Sequence, residues 1–177
     1  QISSGETYTP VVKDEPVSAG DVIRTKSFSR AEVTFADRSI VRLGENTQVS
    51  FREYTFDEKG ARTGALLDME RGKIRAIVSK FGAGSTFDIR TPNALGTIRG
   101  SDIFVSYQKS ATNVLSLEGE IITKSRGSSS QTVIVKPGTT ALVPPGAAPQ
   151  APRPFIALEK TRLENETEPA VQAKEGA

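Results

Sequence analysis

The chain of 177 residues contains no histidine, no cysteine and no tryptophan, and its single methionine is Met69. Without histidine and cysteine, a serine–histidine–aspartate triad, a cysteine–histidine pair and a thiolate or imidazole zinc site are all excluded. No side chain has an ordinary pKa near neutrality, so a pH switch would need a strongly shifted carboxyl group or lysine. Only carboxylate, lysine, hydroxyl and tyrosine chemistry remain. We therefore predict a protein that is not an enzyme, with no catalytic residue, no metal site and no cofactor.

An excess of charge of one sign is also missing, because 23 basic and 21 acidic residues give a net charge of +2 and are interspersed. Nucleic-acid-binding proteins normally carry a clustered basic stripe, so we predict no nucleic-acid partner. No apolar run approaches the roughly 20 residues that cross a membrane, so we predict no membrane insertion. The chain opens at Gln1, which favours a processed product. A removed secretory signal would place it in the periplasm or outside the cell, and an excised fragment is the alternative.

Short runs rich in valine, isoleucine, threonine, phenylalanine and tyrosine alternate with turn residues over the first 143 positions, which indicates β-strands. The alternation is clear where Ala31, Val33 and Phe35 fall on one face of an extended chain. No stretch before residue 155 keeps a helical apolar period over three turns. The sequence therefore predicts an all-β fold, a β-solenoid-like or sandwich arrangement of many short strands. The predicted strands are residues 22–25, 31–35, 40–43, 48–51, 72–79, 86–90, 103–107, 114–117, 120–124, 132–135 and 140–143.

The composition changes at Pro144. Residues 144–154 carry five of the ten prolines and are predicted to be an extended Pro/Ala-rich linker. Residues 155–177 form an acidic tail in which five acidic and three basic residues give a net charge of −2. We expect an N-terminal arm over residues 1–19, an all-β domain over residues 20–143, this linker and this tail. The tail can form a short helix, and its candidate contacts to a partner are Phe155, Ile156, Leu158 and Leu163.

Six short motifs follow one another between residues 20 and 143, and most of them contain or end at glycine. They occupy residues 20–25, 31–44, 67–74, 87–102, 117–121 and 135–140. Their order and spacing resemble the FecR-type domain, which is found in the periplasmic part of the ferric-citrate regulator and its relatives. The sequence departs from the pattern at Arg38, which replaces a glycine, at Ser101, which replaces threonine, and at Ile103, where phenylalanine is expected. The positions that carry the resemblance are Gly20, Asp37, Gly44, Gly72, Thr91, Pro92, Arg99, Gly100, Gly119 and Gly138.

The resemblance implies an all-β body outside the cytoplasm. The signalling regulator also has a cytoplasmic region that binds a sigma factor and a membrane span, and residues 1–177 show neither pattern. We therefore expect a stand-alone, divergent member of the family. For the most family-specific segment, we expect Gly100 to allow a backbone conformation that is denied to larger residues. We expect Arg99 to pair with a nearby carboxylate or carbonyl group, and a ligand role for it is the alternative.

Two pairs of carboxylates lie two residues apart, Asp68 with Glu70 and Glu118 with Glu120. In a regular strand this spacing places both members of a pair on one face. Such a pair could serve a glycosidase or hold a hard cation. The interpretation that we favour is solvated charge beside a turn.

Three functional hypotheses follow from the sequence. The first is a non-catalytic extracytoplasmic module for protein–protein interaction, in one version a structural subunit that forms a homo-oligomer or filament through edge strands and its C-terminal arm. The second is a periplasmic sensory or regulatory domain that relays a signal to a membrane or sigma-factor system. The third is a carbohydrate-active enzyme that uses carboxylates.

Overall fold

The computed structural model describes residues 1–3, 7–79, 84–127 and 131–169, and every structural statement below concerns these residues. Residues 170–177 of the predicted tail lie outside them. The described residues form one 12-stranded sheet followed by one helix, which confirms the all-β class. The elements are β1 (Ile2–Ser3), β2 (Val22–Arg24), β3 (Ala31–Thr34), β4 (Ile40–Leu43), β5 (Gln48–Phe56), β6 (Arg62–Ile77), β7 (Thr86–Arg90), β8 (Ala94–Gln108), β9 (Ala111–Ser125), β10 (Thr132–Val135), β11 (Thr139–Val143), β12 (Arg153–Pro154) and α1 (Ala157–Thr167).

The three longest strands, β6, β8 and β9, are longer than the sequence predicts. They contain 16, 15 and 15 residues. Strand β9 joins the predicted strands 114–117 and 120–124, so Gly119 lies inside a strand instead of ending one. Glycine is a turn signal in sequence, but it also occurs where a strand bends sharply.

Each long strand changes its neighbours half-way along. Residues 62–71 of β6 pair with β5, and residues 72–77 pair with β8. In β9, residues 112–115 pair with β11, and residues 121–124 pair with β10. The sheet therefore consists of two halves that share these strands and turn away from each other at the change of partner.

Three glycines mark these changes and have backbone conformations that L-residues rarely adopt. The φ angles are +100° at Gly72, +118° at Gly100 and +73° at Gly119. A Cβ atom on Gly72 would lie 2.2 Å from Thr47 Oγ1, and one on Gly100 would lie 2.7 Å from Gly119 Cα. The bends therefore require glycine for two reasons, the positive φ and the close approach of a neighbouring strand. For Gly100 this agrees with the expectation from the sequence.

A single core joins the two halves of the sheet. Buried side chains of both halves belong to one cluster, with Leu67 and Ile121 from one half and Val41 and Ile103 from the other. Among the described strands only β6 and β7 run parallel, and part of the sheet closes into a five-stranded barrel. The sheet therefore wraps around its own core. A stack of parallel coils would need mostly parallel pairs.

The Pro/Ala-rich segment returns to the sheet. Strand β12 pairs antiparallel with β11, and the Gln150 N–H donates to the Leu142 carbonyl oxygen over 2.8 Å. The Phe155 N–H then donates to the Gly138 carbonyl oxygen over 3.2 Å. The end of the predicted linker therefore covers the outer edge of β11 and delivers α1 to the outer face of the body.

Candidate interaction surfaces

The last turn of α1 is held against its own body by basic side chains. Glu166 forms an ion pair with Lys73, and Glu168 Oε2 lies 2.8 Å from Arg42 Nη1. Arg75 Nη1 lies 3.6 Å from the same carboxylate oxygen of Glu168. Cations next to the carbonyl end of a helix also interact favourably with its dipole. The described part of the tail therefore docks on the subunit that carries it.

Gly44 makes room for this contact. A Cβ atom at Gly44 would lie 2.8 Å from the carbonyl oxygen of Glu166, and the next helical residue, Thr167, is fully buried. The Gly44 N–H donates to the Lys73 carbonyl oxygen over 2.9 Å, which fixes the strand end beneath the helix. Gly44 therefore has a packing role that its place in the motif does not reveal.

The apolar side chains predicted as contacts in the tail differ in their exposure. Ile156 and Leu158 are 61% and 72% exposed, and Phe155 and Leu163 are half-buried. Burial by itself would raise the pKa of Glu166. The hydrogen bonds from Lys73 and Arg162 outweigh that effect and lower the pKa below its usual value of 4.5. Glu166 is thus held as an anion beside Lys73 and Arg162.

Asp37 organises a polar cluster inside the turn between β3 and β4. Its carboxylate accepts hydrogen bonds from the Ser39 N–H at 3.0 Å and the Tyr54 hydroxyl at 3.1 Å. It also lies 2.5 Å from Nη1 of Arg62, whose side chain is 0% exposed. Burial lowers the pKa of Arg62 and raises that of Tyr54. These contacts make Asp37 the counter-ion of a buried guanidinium group.

Arg38 occupies the position where the family pattern has glycine, and its φ angle is +68°. An L-residue in this conformation costs about 1–2 kcal/mol, and the greater freedom of glycine in the unfolded chain offsets part of the gain. We expect Arg38→Gly to raise the free energy of unfolding by about 0.5–1 kcal/mol in urea denaturation. Arg38→Ala keeps the strain and is expected to be nearly neutral. An Arg38→Gly protein no more stable than Arg38→Ala would contradict this assignment.

Thr91 and Pro92 form a corner that connects four strands. The buried Thr91 hydroxyl lies 2.7 Å from the Thr112 hydroxyl, and its backbone carbonyl accepts from Arg126 over 2.7 Å. Asn93 Nδ2 donates to the Val143 carbonyl oxygen over 2.8 Å. Pro92 is exposed at the tip. The sequence analysis missed Asn93 and Arg126, and the asparagine after Thr-Pro was the available signal for a side chain that binds turn backbone.

The other motif positions serve turns or face solvent. The Gly20 N–H donates to the Phe51 carbonyl oxygen over 2.6 Å, and the Gly138 N–H donates to that of Ser116 over 2.9 Å. Both glycines have positive φ, +97° and +82°. Arg99 is exposed opposite Glu120 in the β8–β9 ladder. The structure thus shows Arg99 at the surface, and both its predicted pairing and its ligand role stay predictions.

The members of the two carboxylate pairs lie in different surroundings. Asp68 Oδ2 accepts hydrogen bonds from Arg90 at 2.6 Å and from Arg52 at 2.8 Å. Burial alone would raise the pKa of Asp68, but these two arginines together lower it. The bend at Gly119 separates Glu118 from Glu120 and interrupts the alternation that would place them on one face. Asp68 is therefore held as an anion instead of being prepared to donate a proton.

Strand β3 has an open edge, and a cleft lies beside this strand. Strand β3 pairs with β4 along one edge, and in the described chain no strand pairs with its other edge. A cleft of about 1060 Å³ lies between β3 and residues 10–19. Val11 and Val12 line it and are exposed, and Phe28 in the loop before β3 is 100% exposed with φ +59°. A strained, fully exposed aromatic residue is a candidate for contact with a partner.

Neither a metal cluster nor a spanning helix is found in the described ranges. No group of three or more acidic side chains there is placed to hold a metal ion. Likewise, no helix in the described part of the chain is long and apolar enough to cross a bilayer. The cleft beside β3 and the face under α1 are the two candidate interaction surfaces of the described residues.

Comparison with known proteins identifies the family. A family model described as FecR protein matches residues 21–122, which is more than half of the chain. The chain belongs to the FecR family. The match confirms the resemblance carried by the glycine-bounded motifs, and it includes β2 to β8 and most of β9. A search of curated proteins finds no match.

Solved structures extend the FecR assignment to the fold. Two crystal structures of a candidate anti-sigma factor from Parabacteroides distasonis ATCC 8503, at 1.65 and 2.50 Å resolution, superpose with TM-scores of 0.64 and 0.63. Each shares 20% sequence identity and covers 79% of this chain. The chain spans about 62% of the length of those proteins. At this identity the likeness shows the fold.

Proposed function

We propose that this FecR-family chain is an extracytoplasmic regulatory domain that relays a signal by binding other proteins. Its family membership and its structural likeness to a candidate anti-sigma factor support a regulatory role over a structural subunit. The tail of the described chain lies on its own body, so it is not extended towards a neighbour. We further propose that residues 20–143 form the regulatory body and that the segment after them covers it.

The observation that carries this proposal is the open edge of β3 beside the cleft. The Phe35 N–H donates to the Ser39 carbonyl oxygen over 2.8 Å, which sets the alternation of hydrogen bonds along the β3–β4 pair. The N–H groups of Ala31 and Val33 therefore point towards β4, and those of Glu32 and Thr34 point outwards. An extended segment of a partner protein can add to such an edge as a further strand. Val11 and Val12 line the same cleft, and the fully exposed Phe28 lies in the loop before β3.

A proline substitution tests the edge without removing β3. In Thr34→Pro the outward-pointing N–H is lost while the pairing of β3 with β4 is kept, since proline is tolerated at sheet edges. We expect the thermal midpoint to change by no more than a few degrees, and regulation of target transcripts in the native host to fall at least tenfold. Thr34→Ala removes the same side chain but keeps the N–H, and it should regulate normally.

Two outcomes would count against the proposal, and they differ in what they overturn. If deletion of the gene leaves every transcript level unchanged, the regulatory function is wrong. If deletion changes transcripts but Thr34→Pro complements as well as the wild type, the domain is regulatory and the β3 edge is not its binding site. RNA sequencing of the deletion strain and of the complemented strains distinguishes these cases.

A further inference from the structure

The face of the sheet beneath α1 differs from the core side and from the rest of the surface. Phe104 and Leu115 are almost fully buried but lie outside the core cluster, because they alternate with core residues and point to the opposite face. They are opposite each other in the β8–β9 ladder, and the Arg75 guanidinium lies 5.1 Å from the Phe104 ring centroid. We call this surface the basic face, which consists of Arg30, Arg42, Lys73, Arg75, Phe104 and Leu115.

The charges of the basic face match those of the helix end. Arg42 pairs with Glu32 at 2.8 Å, and Arg75 pairs with Asp102 at 2.7 Å, so both keep a partner within the body. Lys73 pairs with Glu166 of the helix. Arg30 Nη1 donates to the Glu168 carbonyl oxygen over 2.9 Å. The body therefore places two surplus positive charges beside Glu166 and Glu168, and Glu166 also accepts a hydrogen bond from Arg162 of the helix over 3.0 Å.

The attachment of α1 is local. The contacts described above all involve Glu166, Thr167 and Glu168, whereas Ile156 and Leu158 at the start of the helix are exposed. Ion pairs that reach solvent are weak individually and are screened by salt. Opening of such a segment does not require the sheet to unfold. Release of the helix would free the surplus positive charge on the face that also carries Phe104 and Leu115.

We propose that the basic face is a docking site for an acidic helix of a partner protein, and that α1 occupies this site in cis as its intramolecular ligand. The matched charges point to a helix whose last turn carries two carboxylates two residues apart, as Glu166 and Glu168 do. The site is formed by β4, β6, β8, β9 and Arg30 of the loop before β3, and it uses side chains of one sheet face instead of the backbone N–H groups at the β3 edge. A tethered ligand has a high effective concentration, so a partner binds only after α1 loosens.

A peptide supplied in trans tests whether the basic face accepts an acidic helix. The probe is a fluorescent synthetic peptide with the sequence of residues 155–169, titrated against the full chain and followed by anisotropy. We expect the double variant Glu166→Gln/Glu168→Gln, in which the chain's own helix is loosened, to bind the peptide at least tenfold more tightly than the wild type. Glu159→Gln removes a carboxylate at the start of the helix whose ion pair is with Arg153, and it should behave like the wild type.

Charge specificity is tested on both partners. Adding Lys73→Glu to the double variant should weaken binding at least tenfold, and so should glutamines in the peptide at the positions of Glu166 and Glu168. Hydrogen–deuterium exchange reports whether α1 is released in the double variant, where we expect faster exchange over residues 157–167. The proposal is overturned if α1 stays protected there, if the released variant does not bind the peptide, or if Lys73→Glu leaves binding unchanged.

A second copy of the chain is the competing occupant. Sedimentation of the wild type over a range of concentrations and salt should show a monomer. A dimer that disappears with Glu166→Gln/Glu168→Gln would show that α1 of another copy fills the basic face, which would overturn the assignment to a partner protein.

Discussion

Replacing Gly72 with alanine is expected to lower the free energy of unfolding by about 4 kcal/mol. A positive φ at a non-glycine residue costs about 1–3 kcal/mol, and overpacking of a tight site costs about as much again. At Gly72 the φ angle is +100°, and the new Cβ would lie 2.2 Å from Thr47 Oγ1 and 2.4 Å from Thr47 Cα. Thr47 cannot withdraw freely, because its N–H and hydroxyl bind Thr25 and Lys73. The loss is comparable with the whole stability of a marginal domain.

Urea denaturation followed by circular dichroism measures this loss, and Gly60→Ala is the matched control. Gly60 has φ +77°, but an added Cβ there would have no heavy atom within 4 Å. The Gly60→Ala variant therefore isolates the backbone strain, which we expect to lower the free energy of unfolding by about 1–2 kcal/mol. Equal losses at Gly72 and Gly60 would show that Thr47 moves aside and that the bend in β6 tolerates a side chain.

Removal of Asp37 is expected to cost about 3–5 kcal/mol, because the Arg62 guanidinium then stays buried without its carboxylate. The Arg62 side chain is 0% exposed, and its Nη1 lies 2.5 Å from Asp37 Oδ2. Asp37→Ala also removes the acceptor for the Ser39 N–H and the Tyr54 hydroxyl. The variant should unfold at a much lower urea concentration, with the transition slope unchanged.

A double-mutant cycle separates the buried charge from the other contacts. Asp37→Ala/Arg62→Met removes both charges and keeps an apolar chain over the Phe87 ring, so it should recover more than half of the loss. Asp57→Ala removes an exposed aspartate that accepts hydrogen bonds from turn N–H groups without an ion pair to a buried base, and it should cost about 1 kcal/mol. Additive losses in the cycle would show that Arg62 does not depend on Asp37.

The strands could be predicted from the sequence wherever a short run stands between two turns. Residues 40–43, 86–90 and 132–135 form strands within the predicted bounds. The prediction was less complete around glycine. Gly72, Gly100 and Gly119 lie inside long strands, because a neighbouring strand approaches them closely and the sheet bends there. Close approach is a property of two segments, so neither segment shows it alone.

The interaction surfaces were less accessible to prediction than the fold. Phe155, Ile156, Leu158 and Leu163 stay predicted contacts to a partner, and the ion pairs of Glu166 and Glu168 with the body were not predicted from the sequence. The basic residues that receive them come from β4, β6 and the loop before β3, up to 138 residues away along the chain. The outward N–H groups of β3 became visible only from its pairing with β4.

The spacing of the short apolar runs and the glycine-bounded motifs determined the all-β class and the FecR family. These features are local, and alternation or turn chemistry within a few residues is sufficient to express them. Only the tertiary structure decided which glycines bend strands, that Asp37 neutralises a buried arginine, and that α1 covers the basic face. Each of these depends on groups distant in sequence that meet at a few ångströms, where burial and charge decide the energy.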